Sequence, residues 1–117
     1  MNRDRIEELF APLGPVAAKR MFGGYGIYAD GLFFAIESED EIFLKADAET
    51  QEAFAAAGST PFVYRSKDRL VTMSYWRLPD EARDDPEELR KWARLAVDAA
   101  RRASAGKQKP KTARQKR

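Results

Sequence analysis

The sequence predicts an α+β fold in which helices pack against a single antiparallel sheet, giving two layers. Two hairpin patterns supply the strands, and amphipathic helical patterns lie near both ends of the chain. An amphipathic helix must bury its apolar side, and the sheet is the only extended apolar surface that these 117 residues offer. The predicted order is helix, three strands, helix, two strands, helix (α-β-β-β-α-β-β-α).

The first helix is predicted from apolar residues with helical spacing. Ile6, Leu9, Phe10 and Leu13 recur at i, i+3, i+4 and i+7, and prolines and glycine at 12–15 end the helix. Residues 16–22 follow it without an assigned element.

The clearest strand pair flanks Asp30-Gly31, a dipeptide preferred in two-residue hairpin turns. Strands 25–29 and 32–36 lie on either side of it, and residues 41–45 form a third strand. This loop predicts a register on one face that pairs Ala29 with Leu32, Ile27 with Phe34, and Tyr25 with Ile36. The opposite face is predicted to hold Gly26, Tyr28, Phe33 and Ala35.

The second half of the chain repeats the helix-and-hairpin pattern. A short helix at 48–57 is predicted between a cap at Asp47 and a stop at Gly58, and residues 62–65 and 70–78 form the second hairpin. The last helix has Asp85 as its N-cap and Pro86 in its first turn. Its buried stripe consists of Leu89, Trp92, Ala93, Ala96, Val97 and Ala100.

Two residue types that carry much of enzyme chemistry are missing from this sequence. It contains no cysteine and no histidine, which removes thiolate nucleophiles, disulfides, zinc sites of the usual kinds and the neutral-pH proton shuttle. Carboxylates, lysines or tyrosines would need strongly shifted pKa values to replace them. We therefore expect no catalysis, no cofactor and no metal.

The charge is unevenly distributed. Residues 1–105 hold 15 basic and 19 acidic side chains, a net charge of −4, although the whole chain has +2. The sequence predicts a domain at 1–104 followed by a disordered basic tail at 105–117. The basic residues of this tail are Lys107, Lys109, Lys111, Arg114, Lys116 and Arg117. No apolar run is long enough to span a membrane and the first ten residues are unlike a signal peptide, so a cytoplasmic location without membrane binding is expected.

A series of short motifs, in order along residues 15–103, is similar to the TfoX N-terminal domain family. It begins with the segment 20–28, Arg-Met-Phe-Gly-Gly-Tyr-Gly-Ile-Tyr, and continues through the hairpin turn to the Met-Ser-Tyr-Trp-Arg-Leu-Pro segment at 73–79. The residues that carry the resemblance are Arg20, Met21, Phe22, Gly23, Gly24, Tyr25, Gly26, Asp30, Gly31, Lys45, Pro61, Phe62, Met73, Tyr75 and Pro79.

The resemblance implies a fold like that of type III secretion chaperones, in the element order given above. It also implies kinship with TfoX/Sxy regulators, which promote expression of DNA-uptake (competence) genes together with the cAMP receptor protein. It provides no catalytic residues. The resemblance suggests a partner in the transcription machinery.

Three motifs have both a functional and a structural interpretation. The glycines at 23–26 resemble a phosphate loop, but a strand follows them instead of a helix, which favours a structural bend. The many aromatic residues could stack nucleobases, yet core packing is favoured because the domain is acidic. The acidic clusters at 37–41 and 84–88 are interpreted as solvated turns and a helix cap.

The sequence thus favours a regulatory, non-catalytic domain that binds a protein partner, with a sheet apolar on both faces and able to support a homodimer. The alternative is a nucleic-acid accessory protein that binds weakly and nonspecifically through its basic tail. A small enzyme that uses carboxylates or tyrosines is the third and least favoured hypothesis.

Overall fold

The fold is one six-stranded antiparallel sheet with helices on one side, seen in a computed structural model that describes residues 1–21, 23–66 and 69–114. Side chains are described for residues 1–21, 23–63 and 73–106. The elements are α1 (Arg3–Leu9), β1 (Ala17–Met21), β2 (Gly24–Ala29), β3 (Leu32–Ser38), β4 (Glu41–Lys45), α2 (Gln51–Ala56), β5 (Pro61–Ser66), β6 (Arg69–Arg77), α3 (Glu81–Asp84) and α4 (Pro86–Arg114).

The α+β class and the sequence of hairpins are confirmed, with one strand and one short helix added. The strand order is β1-β2-β3-β4-β6-β5, so the two hairpins join through antiparallel pairing of β4 with β6. The added strand β1 occupies the unassigned segment and pairs with β2. The added helix α3 lies between β6 and α4.

Local turn signals place the hairpins. Asp30 and Gly31 both have positive φ, at 52° and 78°, as the predicted two-residue turn requires. Glu39 and Asp40 have the same handedness in the β3–β4 turn, although neither is glycine. Gly58, with φ of 84°, ends the region of α2 as predicted.

The predicted register of β2 and β3 is wrong beyond the first pair. Ala29 does face Leu32, but a bulge at Phe34 shifts the later pairs, so that Ile27 faces Ala35 and Tyr25 faces Glu37. Phe34 and Ala35 are consecutive and both are fully buried, and the Phe34 ring packs edge-on against Phe10 at 5.3 Å between centroids. Packing against α1 therefore fixes the register in place of strict alternation.

The core lies between the sheet and the helices. It contains Ile6 and Phe10 of α1, Phe54 of α2, the Leu89-to-Ala100 stripe of α4, and strand residues such as Ile27 and Leu44. The predicted stripe of α4 is buried throughout. Phe54 packs against both Trp76 and Trp92, with ring centroids 6.2 and 4.8 Å apart. All helices that contribute to this core lie on the same side of the sheet.

Polar side chains join the ends of the helices to the sheet. Asp85 caps α4 by accepting a hydrogen bond from the backbone N–H of Glu87 at 3.0 Å, as predicted. Asp47 instead lies before a turn that precedes α2, and its carboxylate accepts two hydrogen bonds from Arg102 of α4, at 2.8 and 3.1 Å. The helix predicted at 48–57 begins later, at Gln51, and Asp47 caps the preceding turn by accepting a hydrogen bond from the Glu49 N–H at 3.0 Å.

Two predictions at the polar segments are also corrected. Glu37 was expected in a solvated turn, but it is 3% exposed and accepts a hydrogen bond from the Asp40 N–H at 2.9 Å. The helix α4 was expected to end near Ala103, but its backbone continues through Gly106 to Arg114. Side chains beyond Gly106 lie outside the described residues, so the disorder of residues 105–117 stays a prediction.

Candidate functional site

The glycines of the 20–26 motif serve the β1–β2 hairpin. Gly23, with φ of 80°, lies in the turn that joins the two strands, and Gly24 begins β2 opposite Met21. A Cβ atom on Gly24 would lie 2.0 Å from the backbone oxygen of Glu37, so only glycine lets β2 approach β3 this closely. Strands lie on both sides of this turn, and no helix begins here to cradle a phosphate.

The sheet face that points away from the helices carries a second set of apolar side chains, and we call it the open face. None of these residues belongs to the core cluster between sheet and helices, and all of them except Tyr75 are partly exposed. They are Met21, Tyr28, Phe33, Ile36, Phe43, Phe62 and Tyr75. No helix of the described residues packs over this face, so its apolar surface is available to a partner.

Three of these rings form a row across the sheet, which we call the aromatic ladder. Tyr28 stacks on Phe33 with centroids 5.0 Å apart and an angle of 21° between the rings. Phe33 in turn contacts Tyr75, with centroids 5.7 Å apart. The ladder therefore connects β2, β3 and β6 on the open face.

A lysine ammonium group lies beside each of the two outer rings of the aromatic ladder, with Lys19 on β1 and Lys45 on β4, the strand between β3 and β6. Lys19 Nζ is 5.0 Å from the centroid of Tyr28, and Lys45 Nζ is 5.2 Å from the centroid of Tyr75. Lys45 also donates a hydrogen bond to Ser74 Oγ at 2.8 Å. In the described residues, neither ammonium group lies within ion-pair distance of a carboxylate.

The open face also includes a ring pair and an ion-pair network next to the ladder. Phe43 and Phe62 have centroids 4.5 Å apart. Glu41 accepts hydrogen bonds from Arg77 at 3.0 Å and from Arg83 at 3.1 Å. The charges in this network are mutually satisfied, which leaves the two ladder lysines as the open-face cations without a carboxylate partner in the described residues.

Two side chains near the sheet have pKa values shifted away from neutral pH. Burial, with a smaller effect of nearby Tyr28, raises the pKa of Tyr75 to about 12. The hydrogen bonds from Arg102 lower the pKa of Asp47 below its ordinary value. Both changes strengthen the protonation state that the group already has near pH 7, the opposite of what a general acid or base needs.

In the parts of the chain described, no cluster of three acidic side chains is placed to hold a metal ion. One groove lies between α1 and the α3–α4 region, and its lining includes side chains of both charges, such as Arg5, Glu8 and Arg83, beside the apolar Leu89. Across the same ranges, no helix has the length and apolar character needed to cross a bilayer.

The motif residues divide between turns, the two sheet faces and loops. Met21, Gly26, Lys45, Phe62 and Tyr75 lie on the open face, whereas Met73 lines a pocket that also includes Trp76. Gly23, Gly24, Asp30 and Gly31 lie at the turns, while Pro61 begins β5 and Pro79 follows β6. Phe22 lies outside the described residues, as do Lys116, Arg117 and the side chains of Lys107, Lys109, Lys111 and Arg114.

Arg20 and Tyr25 contact each other away from the ladder. Arg20 Nη1 is 3.4 Å from the Tyr25 hydroxyl, and the guanidinium carbons of Arg3 and Arg20 each lie 5.6 Å from the Tyr25 ring centroid. Tyr25 is 8% exposed, and it belongs to the core cluster. These contacts attach α1 and β1 to the sheet.

Sequence reasoning missed Lys19 and mislocated Ile36. Lys19 lies in the segment without an assigned element, so its face was undefined. Ile36 was expected on the same sheet face as Tyr25, and Ala35 on the same face as Tyr28. The bulge instead puts Ile36 on the open face and Ala35 in the core. Alternation in β1 would have been the signal for Lys19 if the strand had been recognised.

Comparison with known proteins agrees with the resemblance seen in the motifs. The family model described as the TfoX N-terminal domain matches residues 8–100. The chain is also 26% identical over 96 residues to Protein Sxy of Escherichia coli (strain K12), a match that covers 82% of this chain and 46% of that protein. The chain thus spans about half the length of the curated relative it matches.

Proposed function

The chain belongs to the TfoX N-terminal domain family, and on that premise we propose that it is a regulatory domain that binds a protein partner through the open face and performs no catalysis. The observation that carries this proposal is the set of seven apolar side chains on a sheet face without a covering helix in the described residues. Exposed contiguous apolar surface of this kind marks interaction sites in soluble domains.

The direction of the pKa shifts in the described residues supports a binding role over an enzymatic one. The pKa shifts of Asp47 and Tyr75 move their titration away from pH 7. The open face presents ring edges and methyl groups instead of the converging polar groups that orient a ligand in a binding pocket. The chain lacks both cysteine and histidine as well.

We further propose that the regulated process is the expression of DNA-uptake genes in the cytoplasm, as the kinship with TfoX/Sxy regulators suggests. The partner would then belong to the transcription machinery. Because the chain spans about half of Protein Sxy, the proposal concerns the role of this domain within such a regulator.

The test is affinity capture followed by reconstitution with the captured protein in purified form. We expect a partner that survives nuclease treatment and is lost with Phe33→Ser, a change in the middle of the aromatic ladder. Val63→Ser is the matched control, since Val63 is 47% exposed and outside the ladder. Transcript levels of DNA-uptake genes, measured in cells carrying each variant, should follow the binding. Equal capture by both variants, or none by the wild type, contradicts the proposal.

A second candidate function is nonspecific binding of nucleic acid through the basic tail. Six basic residues and no acidic residue occur from 106 to 117. Binding of this origin weakens steeply with salt because it depends on the release of counterions. Removal of residues 106–117 should abolish it, and DNA binding that persists after the truncation would refute it.

A further inference from the structure

We propose that the open face binds a polypeptide segment with an apolar centre and a carboxylate on each side, and that Lys19 and Lys45 are the cations that receive those carboxylates. This inference rests on the proposed function and specifies the chemistry of the partner. It is argued from the geometry of the aromatic ladder and its two lysines.

Ring packing in the ladder disfavours nucleobases as the occupant. A base that stacks on a protein needs the free face of an aromatic ring. Here the faces of Tyr28 and Phe33 are stacked on each other, and Lys19 and Lys45 lie over the outer rings. The ladder therefore presents ring edges and aliphatic stems, which suit the apolar side chains of a polypeptide.

Charge disfavours a second copy of the same chain centred on the ladder. In a face-to-face dimer whose two ladders lie over each other, the two-fold axis lies in the interface and runs either along the ladder or across it. In the first case each lysine meets its own copy, and in the second Lys19 meets Lys45. Either arrangement opposes two ammonium groups, whereas carboxylates on a different partner would be attracted at both ends.

The contact distances along the ladder set an upper limit on the spacing of the carboxylates. The four successive distances of 5.0, 5.0, 5.7 and 5.2 Å place the two ammonium groups no more than about 21 Å apart. An extended polypeptide advances about 3.3 Å per residue, so about six residues cover this distance. Because about 21 Å is an upper limit, the partner segment has an apolar stretch of at most about five residues between acidic residues.

Fluorescence anisotropy with labelled synthetic peptides tests this chemistry. One peptide has two glutamates on each side of a five-residue apolar segment, and its control has lysines in place of the glutamates. We expect the full chain to bind the acidic peptide, more weakly as salt rises, and not the basic one. No binding of the acidic peptide would overturn the inference.

Charge reversal on the protein completes the test. We expect Lys19→Glu with Lys45→Glu to weaken binding of the acidic peptide about tenfold or more and to create binding of the basic peptide. The matched control is Lys91→Glu with Arg94→Glu, which changes the net charge equally at exposed positions of α4 and likewise removes a lysine-on-ring contact, since Lys91 lies 5.5 Å from the Trp92 centroid. If either double variant unfolds, glutamine replaces glutamate at both positions.

The outcomes separate this inference from the proposed function. A captured partner that is lost with Phe33→Ser but retained after charge reversal would leave the proposed function intact and overturn the inference. Single-stranded DNA binding, or a dimer seen by light scattering, that disappears after charge reversal would also overturn it. Capture that is insensitive to both changes would contradict both proposals.

Discussion

Gly24→Ala should destabilise the fold severely because the added methyl group would collide with backbone. Its Cβ would lie 2.0 Å from the Glu37 carbonyl oxygen and 3.1 Å from the Glu37 carbonyl carbon. Ordinary contacts between carbon and oxygen are about 3.3 Å, so β3 must move by more than about 1 Å. Glu37 pairs with Tyr25 on one side and Ile42 on the other, and both pairings are disturbed.

The size of the effect follows from overpacking and lost pairing. Overpacking of a well-packed site costs about 1–3 kcal/mol, and each weakened backbone hydrogen bond adds about 1 kcal/mol. We expect a loss of about 3 kcal/mol or more in the free energy of unfolding. For a domain of this size that corresponds to a fall in Tm of about 12 °C or more.

Gly26→Ala is the matched control, in the same strand and two residues away. Its Cβ would meet the Met21 sulfur at 2.6 Å and the Phe33 ring at 3.1 Å. The thioether can rotate aside, so the cost should be about 1 kcal/mol or less. Urea unfolding followed by circular dichroism measures both variants. A Gly24→Ala variant within about 1 kcal/mol of wild type, or one no worse than Gly26→Ala, would refute the reasoning.

Three further predictions concern a turn and two titrating groups. Glu39→Asn should raise the free energy of unfolding in urea by about 0.5–1 kcal/mol, because Glu39 has a φ of 51° that asparagine tolerates better; a loss of stability would contradict this. The lowered pKa of Asp47 contributes stability that is present above its ordinary pKa of 3.8. This stability is lost as pH falls below 3.8 and through the lower pKa of the folded state. Asp47→Asn should therefore cost up to about 1 kcal/mol at pH 7, and its gap from wild type in chemical unfolding should close toward pH 3. Tyr75, with a pKa raised to about 12, keeps its proton in the folded state while the unfolded chain loses it near pH 10, so stability falls from pH 10 to 12. Tyr75→Phe should lose less stability over that interval, and an equal loss would show that Tyr75 titrates normally.

Several parts of the fold could be read directly from the sequence. The turn at Asp30-Gly31, the stop at Gly58, the cap at Asp85 and the stripe of α4 are all confirmed. Each depends on the conformational preference of one or two residues or on a repeat along one helix, and such signals are complete within a few positions of the chain.

The candidate site was only partly predictable. Alternation from the hairpin turn correctly placed Tyr28 and Phe33 on the face opposite Ile27. Lys19 could not be placed, because β1 has little apolar alternation of its own and gains its backbone hydrogen bonds from β2. Lys45 and Tyr75 come together only because β4 pairs with β6, which are separated by α2 and β5.

The sequence alone determined the class of fold, its turns and the amphipathic sides of its helices, because these follow from local backbone preferences and hydrophobic periodicity. Tertiary structure decided the bulge at Phe34, the burial of Glu37 and which face of the sheet stays uncovered. Those features arise where Phe10 meets Phe34 and where α4 covers one side of the sheet. Contacts between residues so far apart in the chain decide whether core packing or regular strand pairing prevails at a given position. The residues close to that position in the sequence do not determine this outcome.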